Sequence, residues 1–295
     1  MTRPSVLQPL TLCLWSLLLA GTAAHLLQDR AYKDKFDNVY YVTQGEWACS
    51  ELKLERIQSG IKEAHRLAEK SINVLKTRGS ETSPAFSLWF GKSNATPQMV
   101  DILLMQHYRT ALSHLPSPKN PKKTRFYFDK VPKFRAIKDD KKPTLNSIVY
   151  ACPPDNDSAK MCSPENSATV LYKQRGKSAT KRPTILGFCP TYFKHGVFAK
   201  NLDMVDNYRR DRKTDKPSRG FLLLHELQHM SKATSPDPPA EDLDAPASTS
   251  SRNIKCYSPE CCAELPDSDK IRNAENYALF ALHVAAFPET GKPIA

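Results

Sequence analysis

The 295-residue sequence predicts an α+β domain that is mainly helical and carries a small antiparallel sheet. Apolar residues recur every three or four positions in residues 50–76, 97–115 and 268–287, which is the period of an amphipathic helix. The middle of the chain instead contains short β-prone runs separated by Pro, Asn, Asp and Lys clusters. With 40% hydrophobic and 25% charged residues, the chain can bury a core, and wholesale disorder is excluded.

The longest predicted helix covers residues 50–76. Ser50 is suited to cap its N-terminus, and Gly79 is suited to end it. The second and third helices, at 97–115 and 268–287, are each followed directly by a proline, which cannot continue a helix. The histidines on these helices are expected to be structural.

Four short runs are predicted to be strands. They are residues 125–128, 147–150, 168–172 and 184–188. The connections between them are rich in Lys and Arg, and the formal net charge is +12. Acidic residues are interspersed and aromatic stacking platforms are absent, so these connections are predicted to be solvated loops, and no nucleic-acid partner is expected.

The N-terminal residues have the pattern of a secretory signal peptide. Residues 1–24 carry one charge, Arg3, then the apolar run Leu10–Ala20, and end in small residues. The run is shorter than the roughly 20 residues that span a bilayer, so a membrane anchor is not expected. The predicted organisation is a signal peptide at 1–24, a short N-terminal segment at 25–43 and a single domain at 44–295 of a secreted protein.

Cysteine usage agrees with secretion. Removing Cys13 with the leader leaves seven of the 8 cysteines. They are Cys49, Cys152, Cys162, Cys189, Cys256, Cys261 and Cys262. In an oxidising compartment most of them should pair, and the odd number leaves at least one thiol. For the last three, a disulfide is favoured over zinc binding.

One motif indicates a metal-binding and catalytic function. An apolar helical segment at 221–230 contains His225-Glu226-x-x-His229. Histidines four residues apart lie on one helix face, where they can hold one zinc ion, and Glu226 can act as a base on water there. The competing interpretation is a core helix whose two histidines are satisfied by hydrogen bonds.

A catalytic zinc with two histidines needs a third protein ligand. The segment 231–269 is far longer than an ordinary connection and contains several acidic residues, so spacing alone does not select one. Glu275, in the last helix, is another candidate, as in metalloproteases whose second helix supplies a glutamate. Alternatively, Glu275 and Asn276 form supporting hydrogen bonds.

Several motifs in this order resemble the deuterolysin-like (aspzincin) family of fungal secreted zinc metalloproteases. They are Trp47-Ala-Cys49, Leu88-Trp-Phe-Gly91, Tyr150-Ala-Cys152, Phe188-Cys-Pro190, His225-Glu-Leu-Gln-His229 and Asn273-Ala-Glu-Asn-Tyr-Ala-Leu-Phe280. They cover roughly residues 44 to 287. The resemblance, to a divergent member, implies a mainly helical, zincin-like metalloprotease domain with a small sheet, and zinc held by two histidines and an aspartate.

The resemblance also implies roles for single residues. His225 and His229 would be ligands and Glu226 the catalytic base. The family's Gly-Thr-x-Asp element is missing, so Asp244 is chosen as the third ligand, with Asp242 and Glu275 as alternatives. Tyr277 is a candidate to support the ligands by hydrogen bonding. The family's cysteine order implies the pairs Cys49–Cys152 and Cys162–Cys189, and Cys256 with Cys261 or Cys262.

The predicted function is therefore a secreted zinc-dependent endopeptidase in which Glu226 activates water. It would bind one zinc per chain and act as a monomer on protein or peptide substrates. The alternative is a catalytically weak or inactive secreted effector or binding protein that retains the metalloprotease fold, because the family's third-ligand element is absent.

Overall fold

The centre of the sheet is formed by the strand nearest the N-terminus. A computed structural model describes residues 38–115, 122–129, 131–136, 142–144, 147–155, 161–162, 168–171, 183–230, 234, 238–246 and 254–294. Strand β1 (Asn38–Gln44) pairs in parallel with β2 (Lys122–Asp129) on one side and with β4 (Ser147–Ala151) on the other. Strand β6 (Thr184–Phe188) extends the parallel set beside β4. The predicted signal peptide lies outside the described residues.

Antiparallel pairing occurs at the two edges of the sheet. Strand β3 (Val131–Ala136) pairs with β2, and strand β5 (Ala168–Leu171) pairs with β6. The order among the described strands is β3-β2-β1-β4-β6-β5. The prediction of an antiparallel sheet was therefore wrong for the four central strands. All residues of β4 and β6 are buried, as expected for parallel strands covered on both faces.

Strand β1 also corrects the predicted start of the domain. Tyr40, Tyr41 and Val42 are at most 1% exposed, although the sequence analysis assigned residues 25–43 to a separate N-terminal segment. A short strand is stabilised by its neighbours, and both neighbours of β1 are distant in sequence. Local sequence patterns therefore did not reveal it, and the domain includes residues from Asn38 onward.

The helices contribute most residues of the larger of two apolar clusters, which confirms the mainly helical prediction, and the smaller cluster is formed mainly by strand residues. The bounds of the helices are α1 (Glu51–Leu75), α2 (Pro84–Phe90), α3 (Pro97–Ile102), α4 (Thr110–His114), α5 (Pro190–Phe193), α6 (Asn201–Asp211), α7 (Arg219–Gln228), α8 (Pro259–Glu264), α9 (Asp267–Lys270) and α10 (Ala274–Ala286). A π-helical stretch, Leu103–Arg109, joins α3 to α4. The predicted helix at 97–115 is thus continuous but not uniformly α-helical.

Helix α1 begins as predicted, with the Ser50 side chain accepting from the Lys53 amide. Its buried face packs against α7. Gly220 makes this close crossing possible, because a Cβ there would overlap Glu63 and Ala64. The helix that carries the histidine motif is therefore held directly against the longest helix of the fold.

The predicted last helix is observed as two helices. Helix α9 ends at Lys270 and α10 begins at Ala274. Nearly every residue of α10 is buried, so this helix passes through the core between α1, α2, α6 and α7. The interruption between α9 and α10 lies beside the candidate site.

Three disulfides brace the described part of the chain. They are Cys49–Cys152, Cys162–Cys189 and Cys256–Cys261. These are the pairs that the family resemblance implied, with Cys261 rather than Cys262 as the partner of Cys256. Among the described cysteines, Cys262 keeps a buried thiol. Disulfides of this number are typical of extracellular proteins.

None of the described helices is both long and apolar enough to cross a membrane.

Candidate metal centre

The two motif histidines lie at the C-terminal end of helix α7 and are buried. Ser218 caps the helix by accepting from the Phe221 amide, and Leu223, Leu224 and Leu227 are buried in the core. His225 and His229 are 4% and 5% exposed. Their Nε2 atoms lie 3.1 Å apart, so the spacing of four residues brings both imidazoles to one point, as the sequence predicted.

Asp242 completes a group of three potential ligands. Its Oδ1 atom lies 3.2 Å from Nε2 of His225 and 3.1 Å from Nε2 of His229. The loop that carries Asp242 returns to α7 through a hydrogen bond from the Ala240 amide to the Gln228 carbonyl. The alternative candidate from the sequence analysis therefore reaches the histidines.

The choice of Asp244 is corrected by the structure. Its Oδ1 atom lies 2.7 Å from Nζ of Lys255, and its side chain is 56% exposed. The backbone of Asp244 forms an isolated antiparallel bridge with Lys255. In irregular chain the direction of a side chain depends on such long-range pairing, which the spacing of acidic residues does not encode.

The outer nitrogen of each imidazole lies close to an oxygen atom. Nδ1 of His229 donates to the Ala240 carbonyl at 2.9 Å, and Nδ1 of His225 lies 2.7 Å from Oε2 of Glu275. With the protons on Nδ1, both Nε2 lone pairs point toward Asp242. Glu275, proposed as an alternative third ligand, thus lies behind His225, where it orients the ring.

The electrostatics of the group favour a positive charge at its centre. Burial by itself lowers the pKa of His225, but the carboxylates of Asp242 and Glu275 outweigh burial and raise that pKa well above its usual range. Burial by itself raises the pKa of Asp242, but the two histidines hold it well below its usual range. Each partner therefore stabilises the charged form of the other.

The geometry fits a zinc ion. Zinc bonds of about 2.0–2.2 Å in a tetrahedron place neighbouring ligand atoms about 3.3–3.6 Å apart, and here the three atoms are slightly closer, at 3.1 to 3.2 Å. Oδ1 of Asp242 is buried and makes no well-oriented hydrogen bond within the described residues. Two imidazole nitrogens and a carboxylate oxygen form a usual catalytic zinc set, which keeps one position open.

Two further side chains lie near this group. Glu226 follows His225 in α7, is 8% exposed, and its charge acts on both His225 and Tyr257. The ring of Tyr257 lies edge-on to the His225 ring, with centroids 5.8 Å apart. Burial raises the pKa of Tyr257, and the carboxylates of Asp242, Glu226 and Glu275 raise it further. The sequence did not identify Tyr257, because no local pattern indicates which tyrosine of a long loop faces the motif helix.

Tyr277 supports a different part of α7. Its hydroxyl donates to the Ile271 carbonyl at 2.7 Å and lies 3.4 Å from Nε2 of His107. Nδ1 of His107 is in turn 2.8 Å from Oε1 of Gln228. Tyr277 is thus connected to α7 through Gln228, whereas the carboxylate beside His225 belongs to Glu275.

Comparison with known proteins gives a coarse likeness of fold. No family model and no curated protein matches the sequence. Among solved structures, the chain is similar to a zinc peptidase from Grifola frondosa, with 14% sequence identity and a TM-score of 0.46, over 81% of this chain and 99% of that chain. Function is therefore inferred from the site itself.

Proposed function

We propose that the protein is a secreted zinc-dependent endopeptidase that hydrolyses peptide bonds in protein substrates. The observation that supports this proposal is the meeting of His225 Nε2, His229 Nε2 and Asp242 Oδ1 at separations of 3.1 to 3.2 Å beside Glu226. A buried carboxylate next to a candidate zinc site is the arrangement that peptide hydrolysis requires.

His225, His229 and Asp242 would hold one zinc ion per chain. When bound there, zinc supplies Lewis-acid chemistry: it lowers the pKa of water and polarises a carbonyl group. Glu275 and the Ala240 carbonyl keep the two imidazoles in the required tautomer, because each engages an Nδ1 atom. The protein therefore provides both the ligands and the groups that orient them.

Glu226 is the proposed general base. Its carboxylate takes a proton from the attacking water as the water oxygen bonds to the scissile carbonyl carbon. It then passes this proton to the departing amine as the carbon–nitrogen bond breaks. Glu226 is 8% exposed, so its carboxylate is shielded from bulk solvent.

Tyr257 is the proposed donor to the substrate carbonyl. A phenol is protonated at neutral pH and can donate a hydrogen bond to an oxygen that gains negative charge. The side chain is 45% exposed and packs edge-on to His225, so it borders both the site and solvent. An incoming peptide can therefore reach it.

The proposed location is extracellular. The signal-peptide pattern of residues 1–24 and the three disulfides support export to an oxidising compartment. Expression of the full chain in a eukaryotic secretion host, with N-terminal sequencing of protein from the medium, tests this point. Retention of the leader on intracellular protein would contradict it.

The function is tested with purified protein, by measuring its zinc content and its cleavage of a reduced, unfolded protein substrate. We expect one zinc per chain. Cleavage should stop when a chelator is added and return when zinc is added. Protein that takes up no zinc would overturn the proposal. Protein that holds zinc but cleaves none of a panel of unfolded substrates would favour the alternative of an inactive binding protein.

A further inference from the structure

Asn273 occupies the interruption between α9 and α10. Its backbone has extended dihedral angles and its side chain is fully buried. A buried amide side chain is costly unless its donors and acceptor are all used. Its bonding partners therefore indicate why an amide is placed there.

The acceptor of Asn273 holds the segment that carries Asp242. The Leu243 amide donates to Oδ1 of Asn273 at 3.2 Å. On the other side of Asp242, the Glu241 amide donates to the Arg272 carbonyl at 2.7 Å, and the Glu241 carbonyl accepts from the Ala274 amide at 2.9 Å. The residues before and after Asp242 are thus both attached to the start of α10.

The donor of Asn273 holds the segment that carries Tyr257. Nδ2 lies 3.4 Å from the Cys256 carbonyl and 3.4 Å from the Cys262 sulfur, and 2.8 Å from Oδ1 of Asn276. The Cys256 amide also donates to the Leu243 carbonyl at 2.8 Å, so the two segments contact each other. One side chain therefore connects the neighbours of both Asp242 and Tyr257.

We propose that Asn273 is a positioning residue for the candidate metal centre: it sets the places of Asp242 and Tyr257 relative to the histidines of α7. The part of this proposal that concerns zinc rests on the proposed function. Asp242 and Tyr257 come from irregular chain, which has no helical geometry to fix it, and a ligand must be held to within about 0.5 Å to bind well.

Asn276 provides a matched control. It is also fully buried, and its Nδ2 donates to the Trp89 carbonyl at 2.9 Å and the Cys262 carbonyl at 3.1 Å. These two bonds hold α10 to the core and do not involve the neighbours of Asp242. Replacing Asn276 also removes one acceptor of Asn273 Nδ2, but it leaves the bond from the Leu243 amide to Oδ1 of Asn273 and the backbone bonds of Glu241 in place.

The first measurement is zinc affinity, by competition with a chromogenic chelator, in wild type, Asn273→Ala and Asn276→Ala. We expect Asn273→Ala to bind zinc about 10 to 100 times more weakly, as for other residues that orient ligands. Asn276→Ala should bind as wild type does. Wild-type zinc binding with equal affinities for both variants would overturn the positioning role and leave the proposed function standing.

The second measurement does not depend on metal. Lys255 is 45% exposed and directly precedes Cys256, so trypsin cleavage there reports how firmly the segment is held. In metal-free protein that circular dichroism shows to be folded, we expect about tenfold faster cleavage at Lys255 in Asn273→Ala than in wild type and Asn276→Ala.

Equal cleavage of both variants would overturn the inference even if wild-type protein binds no zinc. Failure of wild type to bind zinc, with the cleavage difference intact, would instead overturn the proposed function alone. If Asn273→Ala does not fold, Asn273→Ser replaces it in both measurements, because serine retains one donor and one acceptor in a smaller side chain.

Discussion

The two halves of the candidate metal centre are held in different ways. His225, Glu226 and His229 belong to a buried helix, and both histidines are at most 5% exposed. Asp242 and Tyr257 belong to irregular chain, with side-chain exposure of 22% for Asp242 and 45% exposure for Tyr257. The helical half is fixed by the geometry of one helix, whereas the loop half is fixed by contacts with α10. The proposed base and two proposed ligands thus lie on a buried helix, whereas the proposed third ligand and the proposed donor are more exposed.

The largest expected effect concerns the helical half. Glu226→Gln should lower kcat by about 10²- to 10⁴-fold, because the amide cannot accept the proton of the attacking water. Zinc content and thermal stability should remain those of wild type. Activity is measured by cleavage of an unfolded protein, and metal content by mass spectrometry. Full activity in this variant would show that another group acts as the base.

Asp242 and Asp244 provide the sharpest test of the loop half. Asp242→Asn should weaken zinc binding more than about 100-fold, beyond the range for residues that only orient ligands. Asp244→Asn should leave it unchanged, because an exposed ion pair such as Asp244–Lys255 contributes little. Chelator competition measures both variants. The reverse result would restore Asp244 as the ligand.

Acid should lower the stability of the whole domain through His283, which lies on α10, the helix that holds the loop half. Burial and the nearby Arg212 lower the pKa of His283 from its usual 6.5 to about 4. Between these values the unfolded chain binds the extra proton, so the free energy of unfolding falls with decreasing pH, by about 2 kcal/mol from this residue at pH 5.

This contribution is measured by denaturant unfolding at pH 7 and pH 5, in wild type and His283→Gln. The variant should lose less stability than wild type over this interval, whatever its stability at pH 7. Equal losses in the two proteins would show that His283 does not carry the acid sensitivity.

The smallest expected effect concerns the contact between α10 and α7. Glu275→Gln should weaken zinc binding by about tenfold, because the charge beside His225 Nδ1 is lost while an oxygen acceptor remains. Glu241→Gln is the control, since this carboxylate is 59% exposed. If both variants bind zinc as wild type does, the Glu275 carboxylate does not tune His225.

The sequence predicted the helical features well because they depend on local periodicity. The helix from Glu51 with its Ser50 cap, and the pairing of His225 with His229 on one face, follow from a repeat of 3.6 residues. It did not predict helices α2, α5, α6 and α8 or the break before α10, because shorter helices and interruptions depend on packing more than on propensity.

By itself, the sequence determined the candidate ligands His225 and His229 and the candidate base Glu226, since neighbours within one turn of a helix are also neighbours in space. Only the tertiary structure decided that Asp242 rather than Asp244 faces the histidines, that Glu275 lies behind His225, and that β1 is the centre of a largely parallel sheet. Each of these results depends on pairing between segments that are distant in sequence, and such pairing leaves no local periodic pattern.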